Sequence, residues 1–201
     1  MSEALPLFSL EEPTPSPDPP STGSAHDKPQ ATPAQQLTGW LYGLVASRQY
    51  GMLADLRRYR PDRPTEAHHL AAGYAPTEEL EETYEFVAFL FAKFHAGTST
   101  PVPGYGDMGA AIRRIGSGLT KGPDDPGARR LFARITDSRR IPLRHLQHAI
   151  HRARSCNTAP PSWSQLTDDL AQWTARGRPT VRAWGRSFYV PAHLQKNRTQ
   201  K

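Results

Sequence analysis

Cysteine occurs once in this chain, at Cys156. No internal disulfide framework can staple the fold, and a reducing compartment suits such a sequence. No long apolar run is present. The most apolar stretch, Phe86 to Phe94, falls well short of the ~20 residues that a membrane-spanning helix needs. The N-terminal residues lack a basic segment followed by an apolar one, so no signal peptide is expected and the cytoplasm is the expected compartment. No stretch alternates apolar and polar residues with period two, and no internal repeat is found. Lysine is scarce too, since 20 of the 25 basic residues are arginine. That bias favours planar, two-pronged recognition of phosphate.

Charge is distributed unevenly over the 201 residues, whose formal net charge is +6. Residues 1–36 hold one lysine, five acids and eight of the 20 prolines. Little in them could be buried to offset the entropy of ordering, which predicts a disordered, acidic, proline-rich leader. Residues 37–109 carry six basic and nine acidic groups, whereas residues 110–201 carry 18 basic and five acidic ones. The last part is therefore the basic object, and phosphate is the partner it implies.

Apolar spacing predicts helices almost everywhere beyond the leader. Leu37, Trp40, Leu41, Leu44 and Val45 recur at i, i+3, i+4, i+7 and i+8, an amphipathic pattern. A short helix follows over 51–58 and ends on Arg57-Arg58. Residues 77–96 predict a central helix with Thr77 as cap and with Glu81, Glu82 and Glu85 on its wet face. Helix resumes at Asp107 and carries Arg113-Arg114. A stripe of Trp163, Leu166, Leu170 and Trp173 leaves Asp168 and Asp169 outside it, and Pro179 opens the last helix. The fold class expected is all-α, a helical bundle in two lobes. The N-terminal lobe covers 37–106, the basic C-terminal lobe 107–190, and a basic tail 191–201.

Patterns that could carry chemistry do not mature into a catalytic site. Gly104-Tyr105-Gly106-Asp107-Met108-Gly109 fits G-x-G-x-x-G, but the residues before it, Thr98-Ser99-Thr100-Pro101-Val102-Pro103, are too proline-broken for the strand a dinucleotide site requires. His145, His148 and His151 share one helical arc, yet no carboxylate or cysteine completes a metal set and the arginines nearby repel a cation. No cofactor or metal is expected. His151-Arg152-Ala153-Arg154 with a downstream Tyr189 loosely resembles a tyrosine recombinase, a minor alternative. The four tryptophans sit on apolar stripes and are predicted core, leaving no obvious platform for stacking single strands.

The densest feature is Arg129 to Ser155, with eight arginines against one acid, Asp137. Leu131, Phe132 and Ile135, then Leu143, Leu146 and Ile150, keep helical spacing within it. Each half reads as a helix with one stripe to bury and one cationic face. Arginines packed so closely repel one another, and a bound polyanion relieves that repulsion. Arg, Gln and His in the second half could instead read bases in a stand-alone helical DNA-binding regulator, the main alternative.

Five segments in order resemble the CasB family, the small subunit of the type I-E CRISPR surveillance complex called Cascade. Gly51-Met-Leu-Ala-Asp-Leu-Arg57-Arg58 is similar to the family's G-x-L-A-x-L-R-R. Met108-Gly109-Ala110-Ala111-Ile112-Arg113-Arg114 is similar to its L-G-x-A-L-R segment, and Arg129-Arg130-Leu131-Phe132 to its R-R-F/I-F run. Trp163 to Trp173 resembles D-W-x-x-L-x-x-D-L-x-x-W, with Ser162 in place of the aspartate. Trp184-Gly-Arg-Ser-Phe188-Tyr189 resembles W-A-R-x-F/Y. The resemblance covers about residues 37–190. It implies a two-lobed helical protein without catalytic activity, present as two copies beside the guide-RNA ribonucleoprotein and the other Cascade subunits. It also implies contact with target and displaced DNA backbones that helps to hold the R-loop open. The contacts are placed on Arg57, Arg58, Arg113, Arg114, Arg129, Arg130, Arg139 and Arg140, the first six at family motif positions and the last two mainly on charge density. Arg152 and Arg154, beside Cys156, are the candidates for contact with a neighbouring subunit.

Overall fold

The first helix, α1 (Pro33–Ala46), starts one turn before its apolar stripe. The Thr32 hydroxyl accepts from the Gln35 amide while the Gln35 side chain accepts from the Thr32 amide, and Pro33 fills the first helical position. This reciprocal cap with a proline behind it is a strong helix start. Residues 33–36, assigned to the leader on composition, are thus helical. The computed structural model describes residues 30–117 and 119–190. The rest of the expected leader and the basic tail lie outside the described residues.

Further along come α2 (Tyr50–Leu56), α3 (Glu66–Ala72) and, after a 3-10 turn at Glu78–Leu80, α4 (Glu81–Phe94). Helix α3 has no counterpart in the sequence reading, because it is buried through Ala67, His68, Ala71 and Ala72. Small residues and a histidine give little periodic signal. Helix α4 is buried nearly all round, as its composition predicts. Glu85 departs from the expected wet face: it is buried, and desolvation raises its carboxyl above the ordinary range.

Helix α5 (Met108–Arg113) stops sooner than its apolar residues suggest. The chain turns instead into a two-residue hairpin, β1 (Gly116–Ser117) against β2 (Thr120–Lys121), pairing Gly116 with Lys121. Gly116, at φ +155°, sits where an added Cβ would lie 2.1 Å from the Thr120 carbonyl oxygen. Helices α6 (Pro126–Asp137), α7 (Leu143–Ser155), α8 (Trp163–Ala171) and α9 (Pro179–Tyr189) complete an all-α fold.

The described helices belong to one compact unit with one continuous apolar core. Helices α1, α2, α3, α7 and α8 pack around α4, and α9 packs chiefly on α5. Trp163, Trp173 and Trp184 are fully buried, whereas Trp40 is half-buried and tilted against Tyr74. Phe132 of α6 stacks on Phe188 of α9 with ring centroids 4.2 Å apart. Asp169 does not stand outside this core as expected. Its Oδ2 accepts the Trp184 indole N–H at 2.6 Å, and burial pushes its carboxyl up to about 6.

The G-x-G-x-x-G pattern has a packing explanation. A Cβ on Gly104 would lie 1.8 Å from the Pro161 carbonyl oxygen, and one on Gly109 would lie 2.0 Å from that of Trp184. Both glycines let backbone approach backbone. Asp107 between them caps α5 through the Ala110 amide at 2.8 Å and accepts the Ser187 hydroxyl at 2.6 Å.

Candidate nucleic-acid interface

Arginine is the residue type from which a phosphate-binding surface must be built here, and the fold sorts the arginines into two kinds. The first kind stays at the surface. Helix α2 ends in Arg57, half-buried, and Arg58, exposed. Arg58 pairs with Asp55 at 3.4 Å, but both side chains are solvated, so the pair exchanges readily. The chain then turns through Arg60 and Arg63, and these four with Lys93 of α4 and Gln147 of α7 line a concavity of about 540 Å³. Arg60, Arg63 and Lys93 are not among the expected contacts. The first two lie in the same arginine-dense run, a signal that pairing alone overlooks. Lys93 is brought there by α4 and has no local signal.

On α6, Arg129, Arg130 and Arg134 are exposed while Leu131, Phe132 and Ile135 are buried. The helical period thus puts the whole cationic stripe in water. Arg139 and Arg140, in the turn before α7, are exposed as well. Arg140 shares its cleft with Glu79 and Glu82, so its surroundings are mixed in sign.

The second kind points inward. Arg113 donates to the Phe188 carbonyl across the α5–α9 contact. Arg114 donates through Nη2 to the carbonyls of Tyr105, Ala159 and Pro160, each at 3.1 Å, and burial lowers its pKa. Its guanidinium lies 4.1 Å from the Tyr105 ring centroid. Arg113 and Arg114, placed among the expected contacts with Arg57 and Arg58, thus differ from that pair in being tied to backbone carbonyls of the fold. Arg152 and Arg154, assigned to a neighbouring subunit, are engaged internally too. Arg152 pairs with Asp125 at 3.4 Å, and Arg154 donates to the carbonyls of Lys93 and Ala96. The H-x-x-R arginine of the recombinase-like pattern is therefore fastened to the end of α4.

This division has an electrostatic consequence. The ion pairs seen between described residues are Arg58–Asp55 and Arg152–Asp125. A backbone carbonyl satisfies the hydrogen bonds of a guanidinium without cancelling its charge. Over residues 110–190 there are 15 basic side chains and five acidic ones, so the positive field of this part of the molecule survives folding. His148 of α7 adds little to it: burial, with Arg152 and the neighbouring histidines beside it, holds its imidazole below the ordinary range. Among the described residues no cluster of three or more histidine, cysteine or carboxylate side chains could hold a metal ion.

The family model that describes CRISPR-associated protein Cse2 matches residues 52–189. The chain belongs to the Cse2 family. Solved structures share its fold. A chain of a CRISPR RNA-guided surveillance complex superimposes with a TM-score of 0.62 at 20% identity, covering 84% of this chain and 98% of its own. CasB from M. ruber gives 0.60 at 17% identity, with 85% and 98% covered. A Cse2-family CRISPR-associated protein from Thermus thermophilus gives 0.59 at 18%, with 79% and 98% covered. No curated protein sequence matches the chain. Membership of the CasB/Cse2 family accords with the five ordered segments, four of which fall within 52–189 and the first of which begins one residue before it. Among the described residues no helix is long and apolar enough to cross a membrane.

Proposed function

We propose that this Cse2-family chain is the non-catalytic small subunit of a type I-E CRISPR Cascade surveillance complex in the cytoplasm. It contacts the backbones of the target and displaced DNA strands and stabilises the R-loop. Its partners are the guide-RNA ribonucleoprotein, the other Cascade subunits and a second copy of itself. The observation that carries this reading is the excess of arginine left at the surface, with Arg58, Arg129, Arg130, Arg139 and Arg140 exposed and Arg57 half-buried beside Arg58. In guide-directed recognition base pairing reads the sequence, and the exchange of one duplex for another is nearly balanced. Phosphate contacts that ignore sequence tip such a balance. The division at 106/107 is on this reading one of charge, a near-neutral scaffold preceding a basic lobe.

The test is co-purification of the full chain with guide RNA and the larger subunits, followed by R-loop assays of the charge-reversed variant Arg58→Glu/Arg130→Glu. We expect co-purification, a destabilised R-loop in the variant, and binding that weakens with salt. Six engaged phosphates give a slope of log K against log salt of about −5. Binding indifferent to salt, or an R-loop of full stability in the variant, refutes the reading.

A further inference from the structure

We infer that Tyr105 is the stacking platform of a subsite for an unpaired nucleobase, with Arg114 backing the ring and Lys121 placed for the adjoining phosphate. The inference rests on the nucleic-acid reading above and adds to it a contact with bases, which backbone binding does not require.

Tyr105 is 58% exposed, among the most exposed of the large hydrophobic side chains described. Its backbone, by contrast, is held from several sides. The Tyr105 amide donates to the Pro160 carbonyl at 3.2 Å, the Ser162 amide to the Gly106 carbonyl at 2.8 Å, and the Gly104 amide to the Tyr42 hydroxyl at 3.3 Å. Gly104 is pressed against Pro161, and Gly106 takes φ +69°. Arg114 adds three bonds to the same two strands of loop and covers one ring face at 4.1 Å. An aromatic ring fixed in this way has lost its conformational freedom before any ligand arrives. With Arg114 on one face, the residue still keeps 58% of its surface exposed.

Aromatic side chains on charged surfaces are the usual platforms for single-stranded bases, and a guanidinium on the far side strengthens the stack by cation–π attraction. The concavity beside the ring measures about 800 Å³ and is lined also by Arg113, Leu119, Lys121 and Asn157, with Asp124 as its one acid. Its size is in the range of ligand pockets, roughly 300–1,000 Å³. Its charge suits an anion that carries an apolar, flat group. Lys121 is exposed, and a nucleotide whose base lies on Tyr105 turns its phosphate outward toward such a cation.

The experiment titrates the full chain, by fluorescence anisotropy, with a mixed-sequence single strand of about 15 nucleotides and with an abasic sugar–phosphate strand of equal length. DNA and RNA versions of both are used, and the version that shows base discrimination names the source of the base. Wild type is expected to bind the base-bearing strand about tenfold more tightly, in line with one stacked base. Tyr105→Ala should bind both strands at the abasic affinity, and Tyr105→Trp should restore the preference. Tyr105→Leu keeps apolar bulk without a π-face and should behave as Ala. A wild-type preference unchanged in Tyr105→Ala overturns the inference, as does full preference in Tyr105→Leu or weaker abasic binding in Tyr105→Ala. Failure of the wild type to bind either strand refutes the backbone reading instead, so the two outcomes are distinct.

Discussion

Glycine-to-alanine exchange at two helical sites should have opposite effects, and the reason is visible in the packing. At Gly43, exposed in the last turn of α1, an added Cβ meets nothing within 4 Å. Alanine there restricts the unfolded chain and suits the helix, a gain of about 0.5–1 kcal/mol. At Gly109 the same atom would lie 2.0 Å from the Trp184 carbonyl oxygen and 2.7 Å from its carbon, where ordinary contact starts at 3.4 Å. The obstacle is backbone, not the tip of a side chain, so α5 and α9 must separate by about an ångström or more. Separation also loosens Trp184 and Phe188, both fully buried, and the Arg113 bond to Phe188. Overpacking of this kind typically costs about 1–3 kcal/mol, and the loss of neighbouring contacts places Gly109→Ala at or above the upper end. Urea denaturation of the full chain measures both, the first variant moving to higher midpoint and the second to lower. In thermal terms about 3 kcal/mol corresponds to a fall of roughly 6–12 °C for a chain of this size. A Gly109→Ala protein as stable as wild type would show that the α5–α9 contact is not the close backbone crossing described here.

Other outcomes follow from single groups. Arg114→Lys keeps the charge but loses the planar guanidinium that lies on the Tyr105 ring while its Nη2 reaches three carbonyls. A loss of about 2 kcal/mol is expected, with faster hydrogen exchange at Tyr105 and Ser162, and unchanged exchange there counts against the role given to Arg114. His95 is buried, with Nδ1 donating to the Phe91 carbonyl and Nε2 accepting from the Val102 amide, each at 3.0 Å. Burial lowers its pKa, so below about 6.5 the unfolded chain binds a proton that the folded one does not, and stability falls with falling pH. His95→Gln should flatten that part of the profile in pH-dependent denaturation. Asp169 has the opposite sign: its pKa is raised from 3.8 to about 6, so the folded state holds the extra proton and stability falls as pH rises through 4–6. Asp169→Asn, which can still accept from Trp184, should remove that fall, and an unaltered profile would contradict the buried environment assigned to it.

Helices with wide apolar stripes, such as Leu37 to Val45 or Leu131 to Ile135, are visible in the sequence because burial imposes a 3.6-residue period. Helix α3 is invisible there because alanine and histidine bury it without such a stripe. Residues 33–36 are misplaced when composition, not the Thr32–Gln35 cap, sets the boundary. Charge alone puts Glu85 and Asp169 in water. Yet α4 is enclosed on nearly all sides, and Trp184, fifteen residues from Asp169, brings it an indole N–H.

Composition and periodicity by themselves determined the all-α class, the uneven charge and the arginine excess, since each is a sum over residues or a local repeat. The order of the five segments sufficed for the family. Which arginines remain available was decided only by the tertiary structure. Arg113 meets a carbonyl 75 residues away and Arg154 one 61 residues away, while Arg129 and Arg130 stay exposed on α6. Availability of a guanidinium depends on which carbonyls packing brings within its reach, and local sequence carries no record of that. The same holds for Tyr105, an inconspicuous loop residue in the sequence that the loop contacts and Arg114 turn into a fixed, half-open ring.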